Sequence, residues 1–263
     1  MDPATLIGIS AAFGAVLLSV FLEGSSPMSI ILLPPMILVF GGTLGVGLAG
    51  GLTRDFIGSL KALKRAFTAK APRPEQPVAL MVELAEHARR NGLLALEERA
   101  QRVDDPFLRR GLELLVDGTE PDELHDILDI EVAAVRNAGR TDAKLYADMG
   151  GYAPTIGIVG TVIGLVHVLE NLSEPEKLGH LIAGAFVATL WGVMSANLIW
   201  LPIASRLRRL TELEVRQMEL TVAGIMAIQS GSNPRLVERR LRSFLPPGTV
   251  KEEQDGASAE EAA

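Results

Sequence analysis

The sequence predicts an all-α membrane protein, with four transmembrane helices, a helical cytoplasmic domain between the second and third, and a cytoplasmic C-terminal helix. Three observations carry that prediction. First, apolar residues make up 48% of the 263-residue chain, which nonetheless holds 25 basic and 32 acidic residues. The two populations are segregated, because residues 3–22, 24–53, 149–169 and 178–205 contain no Lys, Arg, Asp or Glu. Second, nothing between 54 and 148 alternates like a strand. Third, the basic residues that flank the apolar stretches lie on one side of them. This composition excludes a simple soluble enzyme, a disordered chain and a disulfide-stapled secreted domain. The absence of cysteine removes thiol catalysis and thiolate metal sites.

A helix needs about 20 mostly apolar residues to cross the hydrocarbon core, and each stretch reaches that length. The first lacks the basic start and the small-residue cleavage site of a signal peptide, so it reads as a retained span. The second is expected to begin near Met28, after the Ser25-Ser26-Pro27 turn. Arg54, Lys61, Lys64, Arg65, Lys70 and Arg73 follow the second stretch, and Arg206, Arg208 and Arg209 follow the fourth. The link between the first two carries only Glu23, and the link between the last two carries Glu170, Glu174, Glu176 and Lys177. Basic loops face the cytoplasm, which places both termini inside.

Five segments follow. Residues 3–53 hold transmembrane helices 1 and 2, and 54–148 form a cytoplasmic helical domain. Residues 149–205 hold transmembrane helices 3 and 4. Residues 206–247 form cytoplasmic C-terminal helices, and 248–263 an acidic, disordered tail. Within the domain, Pro72, Pro74 and Pro77 precede a helix with Leu80, Met81, Leu84 and Ala88 on one face. Asn91-Gly92 stops it. A short helix follows through Leu93, Leu94 and Leu96. Asp105-Pro106 reads as a cap followed by proline at the first helical position, and that helix ends near Gly118. Pro121 starts another, with Leu124, Ile127, Leu128, Val132 and Val135 recurring at helical spacing. Leu207, Leu210, Leu213 and Met218 predict a long helix after the fourth span, broken at 231–234. A last short helix is expected to end at Pro246-Pro247.

The spans contain no carboxylate, although proteins that carry ions usually keep an ionisable side chain at membrane depth. Only His167 and His180 titrate there, and both read as interfacial. Any ion-binding carboxylate therefore belongs to a partner. Gly184, Ala188, Gly192 and Ala196 recur every four residues in the fourth span, Gly157, Gly160 and Gly164 punctuate the third, and glycines crowd 41–51. Such stripes let helix backbones approach, within one chain or between chains. Thr161 and Thr189 place hydroxyls at membrane depth, where bonding to a carbonyl one turn back is the simplest use. Pro154 lies seven residues before Thr161 and shares its helix face. Pro154 and Pro202 mark the cytoplasmic ends of their spans, as passive kinks or as hinges. Arg89 with Arg90, and Glu97 with Glu98, flank the Asn91-Gly92 break as surface charges.

Several blocks resemble the bacterial flagellar motor stator A subunits, the MotA/PomA family within the MotA/TolQ/ExbB superfamily. They are Phe40-Gly41-Gly42-Thr43-Leu44-Gly45, Ala88-Arg89-Arg90-Asn91-Gly92-Leu93-Leu94-Ala95-Leu96-Glu97, 153–165, 185–193, Ala196-Asn197-Leu198, Pro202-Ile203-Ala204 and 227–235. The resemblance runs from the first stretch to about Pro247. It implies a homopentamer around two copies of a B-type subunit (MotB/PomB-like) that supplies the ion-binding aspartate, with torque delivered to the rotor switch protein FliG. It implies H+ or Na+ as coupling ion, no other cofactor, no enzymatic activity and no nucleic acid. Carried over by motif, Thr161 and Thr189 face the ion pathway, Pro154 and Pro202 serve conformational coupling, and Arg89 and Glu97, or Arg90 and Glu98, contact the rotor. The alternative is an ExbB/TolQ-like energy-transducing subunit, though such proteins typically have three spans.

Overall fold

The computed structural model describes residues 4–69 and 76–245, and every regular element among them is helical. Helix α1 covers Ala4–Leu22. A 3-10 turn, Pro27–Ile30, precedes α2, Leu33–Ala49. Next come α3, Thr53–Thr68, and α4, Gln76–Asn91. A 3-10 turn, Leu93–Leu96, and a single α-turn, Glu97–Ala100, lead to α5, Pro106–Val116. Helix α6 spans Pro121–Glu170, α7 spans Pro175–Gln229 and α8 spans Pro234–Arg242.

Local chemistry sets most of these limits. The Asp105 carboxylate accepts from the backbone N–H groups of Phe107, at 2.9 Å, and Leu108, at 3.4 Å. It thereby satisfies donors that the first helical turn leaves free. Asn233 does the same for α8 through the Arg235 N–H, at 3.1 Å. Both helices place proline at the first position, where no N–H is needed. Helix α4 ends against Gly92, whose φ of +86° is a conformation open to glycine and costly to other residues.

Helix α2 starts at Leu33, later than the Met28 start expected from hydropathy. Pro34 and Pro35 both lack the N–H that an interior position must donate, so they fit the first turn, which starts at Leu33. At 17 residues this helix is shorter than the other apolar ones. It is about 26 Å long at 1.5 Å per residue. Helices α1, α6 and α7 are each long and apolar enough to cross a membrane. Helix α6 extends the expected third stretch into one helix of 50 residues. Pro72, Pro74, the Pro246-Pro247 end of the last helix and the 248–263 tail lie outside the described residues.

Two compact units divide the described residues, one formed by 4–69 with 137–211 and the other by 76–136 with 212–245. The first holds α1, α2, α3 and parts of α6 and α7. Its interior has a small cluster of Ala62, Ala66, Ala143, Tyr146, Met149, Ile203, Ala204 and Leu207. The Tyr146 hydroxyl donates to the Ser59 carbonyl at 2.7 Å, tying α3 to α6. Trp191 Nε1 donates to the Ile30 carbonyl at 2.6 Å, and the Trp191 ring packs against Phe40. That pins the Pro27–Ile30 turn to α7.

The second unit holds α4, α5, α8 and the remainder of α6 and α7. Its core is aliphatic: Met81, Leu96, Leu112, Leu124, Leu128, Leu220, Ile225 and Leu241 are fully buried. The expected faces of α4 and α6 supply much of it, although Ile127 stays exposed. Gly111 lets Ile225 approach α5, since a Cβ there would lie 2.3 Å from the Ile225 Cδ1.

Candidate functional site

The site sits where α6 crosses α7 in the first unit. Three glycines of α6 make the crossing close. A Cβ on Gly157 would lie 2.8 Å from the Ala188 carbonyl oxygen, and one on Gly160 would lie 2.7 Å from the Ala188 Cβ. On Gly164 it would lie 2.6 Å from the Ala185 Cβ. Gly192 answers from α7, where a Cβ would lie 2.7 Å from the Ala153 carbonyl oxygen. The small residues of the third and fourth apolar stretches are thus used, in large part, for contact within the chain. Gly41, Gly45 and Gly51 differ, because a Cβ at each would meet open space.

This close approach brings Thr161 and Thr189 together across the two helices. Their Oγ1 atoms share a hydrogen bond. Thr161 Oγ1 can donate to the Ala185 carbonyl at 3.0 Å or to the Gly157 carbonyl at 3.2 Å, and Thr189 Oγ1 can donate to Gly157 at 3.3 Å. The simple use, a bond to the carbonyl one turn back, therefore exists for Thr161 and is only part of the arrangement. Each hydroxyl has one proton and two lone pairs. Two protons are spent inside a set of four oxygens, so what remains unfilled is acceptor capacity. The cluster can accept a hydrogen bond or contribute oxygen to a small cation, and it gives a proton outward only when a hydroxyl leaves one of these internal bonds. It also has no carboxylate of its own, because residues 149–169 and 178–205 contain none.

Two cavities open in this unit. One of about 550 Å³ is lined by Leu32 and Leu38 near α2, by Gly160 and His167 of α6 and by His180 and Ala185 of α7. Sequence spacing did not show that His167 and His180 border one space, since they are brought there by the turn between α6 and α7. Another, of about 420 Å³, lies between α1 and the Asn197, Pro202 and Arg206 stretch of α7.

Pro154 lies inside α6, where its missing N–H leaves the Gly150 carbonyl without a helical donor. Pro202 follows a π-turn, Ala196–Trp200, in which the Leu201 N–H reaches back to the Ala196 carbonyl. The wider turn absorbs the register break that Pro202 imposes on the helical ladder. No residue pattern announces that turn, and Pro202 itself is its only signal. A Cβ on Gly150 would lie 2.6 Å from Leu201 Cδ2. One turn before Pro154, α6 therefore rests on the neighbour of Pro202.

Arg89 and Glu97 stand in the second unit, on either side of Gly92, and both are exposed. Among the described residues neither forms an ion pair, nor does Glu98. Arg90 pairs with Glu86 at 3.6 Å, and Arg99 with Glu83 at 2.8 Å. The Asn91-Gly92 break keeps Arg89 and Glu97 on separate elements, the last turn of α4 and the single turn Glu97–Ala100.

Comparison with known proteins places these features in a family context. Residues 99–220 match the model of the MotA/TolQ/ExbB proton channel family. Motility protein A of Bacillus subtilis is 34% identical over 248 residues, covering 94% of this chain and 92% of that protein. Chemotaxis protein PomA of Vibrio alginolyticus is also 34% identical, covering 94% and 97%. Among solved structures, C. jejuni MotAB aligns with a TM-score of 0.91 at 28% identity, covering 96% of this chain and all of that one. The flagellar MotAB stator complex from Bacillus subtilis aligns with a TM-score of 0.86 at 33% identity, covering 92% and 96%.

Proposed function

The chain belongs to the MotA/TolQ/ExbB proton channel family, and from that premise we propose that it is the A-type stator subunit of a flagellar motor. In this reading it joins a B-type subunit to form an ion channel that turns a transmembrane H+ or Na+ gradient into torque. The observation that carries the reading is the Thr161–Thr189 cluster, rich in acceptors and without a carboxylate in its surroundings. A B-type aspartate supplies what is missing. Protonated, it can donate to the free lone pairs of the cluster. Ionised, it is an acceptor only, and a threonine hydroxyl must leave its internal bond to meet it. The two charge states thus favour two positions of the partner helix, and a two-state element shifts only by such a difference. A coupling Na+ would act through the same oxygens and the same carboxylate. One charge crossing 100 mV makes about 2.3 kcal/mol available per step.

The chain crosses the inner membrane four times in this reading, with both termini cytoplasmic. Helix α2 is the shortest span, and the basic residues after α2 and in α7 support the sidedness. It works without enzymatic chemistry or a cofactor beyond the coupling ion. Pro154 and Pro202, linked through the Gly150–Leu201 contact, carry the shift at the crossing. Arg89 and Glu97 engage charges on the rotor protein FliG, and the lack of internal ion pairs at both positions supports their availability. Arg90 is the weaker candidate because Glu86 occupies it. Five copies form the ring. An ExbB/TolQ-like role is disfavoured by the two apolar helices that precede α3, and by full-length similarity to motility proteins.

The test is a hydroxyl series. In cells whose own A subunit is deleted, Thr161→Ser should retain swimming when this chain is expressed with its B-type partner, and Thr161→Val should lose most of it. Equal swimming of the two variants would refute the role of the hydroxyl.

A further inference from the structure

Helix α3 carries an exposed face that the stator reading leaves unused. Its inner face is accounted for: Ser59, Ala62 and Ala66 are buried, and the Ser59 carbonyl receives the Tyr146 hydroxyl. The exposed positions are Thr53, Arg54, Ile57, Leu60, Lys61, Lys64 and Thr68. At about 100° per residue they all fall within one third of the helix circumference. Ile57 and Leu60 are 53% and 54% exposed. Around them the arc holds three cations and no carboxylate, in a chain whose acidic residues outnumber its basic ones. Asp55, paired with Arg54 at 3.6 Å, lies about 160° round the helix from the middle of the arc. The helix begins four residues after α2 ends, which tethers it beside an apolar helix.

We propose that this arc lies in the headgroup layer of the membrane and selects anionic phospholipid. Ile57 and Leu60 enter the acyl boundary, while Arg54, Lys61 and Lys64 extend their charged ends to lipid phosphates. An apolar strip flanked by lysine and arginine on a helix beside a membrane anchor matches an interfacial surface. Long basic side chains can hold aliphatic stems in the apolar layer with their heads in the polar one. That the leaflet is cytoplasmic rests on the sidedness proposed above, whereas the lipid contact does not.

The chain has no cysteine, so a single Leu60→Cys variant takes one spin label. The full-length protein is placed in nanodiscs of phosphatidylglycerol or of phosphatidylcholine. Collision with oxygen, which partitions into lipid, is compared with collision with a water-soluble nickel chelate. In phosphatidylglycerol the label should be open to oxygen and protected from nickel. In phosphatidylcholine it should move measurably toward water. Lys61→Gln with Lys64→Gln should erase the difference between lipids, and the paired Lys→Arg variant should preserve it. The melting temperature of each variant in detergent reports whether it keeps its packing. Nickel exposure in both lipids equal to that of a label at Glu98→Cys would overturn the proposal. So would shielding from both reagents, which means a protein covers the face, or a depth that is the same in both lipids. Sidedness is read separately, from labelling of Leu60→Cys by a membrane-impermeant maleimide in inverted and right-side-out vesicles. Failure there would overturn the topology and leave the lipid contact standing.

Discussion

The two units of this chain are both helical and are held together by opposite means. The unit of 76–136 and 212–245 buries large aliphatic side chains such as Met81, Leu112, Leu124 and Ile225, and it exposes charge. The unit of 4–69 and 137–211 exposes large apolar side chains such as Leu6, Phe21, Ile158 and Val162, and it buries glycine, alanine and hydroxyls. The difference follows from solvent. Water drives leucine inward at about 25 cal/mol per Å². Lipid gives leucine no such preference, so helices associate by close contact and hydrogen bonds. The ion chemistry proposed here depends on that second mode, because only backbones brought together by glycine let Thr161 meet Thr189.

The contrast breaks most sharply at the crossing. Gly157→Leu should cost about 3 kcal/mol or more, because the new side chain meets the backbone of α7 and no flexible group can yield. The detergent-solubilised protein should melt far earlier and the cells should not swim. Gly45→Ala, where space is open, should leave the melting temperature nearly unchanged. In the other unit Leu112→Ala should cost about 2–5 kcal/mol in chemical denaturation. Leu6→Ala, on the exposed face of α1, should cost little when the protein is in lipid. A large effect there would mean that protein covers that face.

Smaller effects separate function from stability. Pro154→Ala restores a helical donor for the Gly150 carbonyl, so membrane levels should hold while swimming slows strongly. Normal swimming would exclude a hinge. Arg89→Glu with Glu97→Arg should impair torque with a stability change of about 1 kcal/mol or less, because exposed charges contribute little to folding. Opposite reversals on FliG should restore part of the speed. The smallest effect concerns Asp142. Burial raises its pKa above the ordinary carboxylate value, Arg65 partly opposes this, and Asp55 adds to it. The unfolded chain then releases the proton first, so this group costs stability as pH rises from the unfolded pKa to the folded one. Asp142→Asn should remove that dependence and slightly raise the melting temperature at neutral pH. A lower melting temperature would show that the Arg65 interaction dominates.

Much of this was legible in the residues. The charge-free stretches located the apolar helices, and Asp105-Pro106 and Asn91-Gly92 marked a start and a stop that the backbone repeats. Local signals of this kind act within one turn, so they survive whatever tertiary structure does. The pairing of Thr161 with Thr189 was not legible, because 28 residues and a helical hairpin separate them, and depth alone does not fix which face each hydroxyl takes. The π-turn before Pro202 was hidden for a similar reason. A proline demands relief, and the sequence does not say whether a kink or a wider turn provides it. The late start of α2 was readable in Pro34-Pro35 and was masked by the hydropathy of the residues before them. The bordering of one cavity by His167 and His180 depends on the hairpin as well.

The central claim is that this chain holds half of an ion site and a partner holds the other half. The most direct measurement is ion flux in proteoliposomes under an imposed H+ or Na+ gradient. The account predicts that the full-length chain alone will conduct no more than protein-free vesicles. Flux should appear when the B-type subunit is incorporated with it, and replacing the membrane aspartate of that subunit with asparagine should abolish it. Flux from the chain alone would contradict the account.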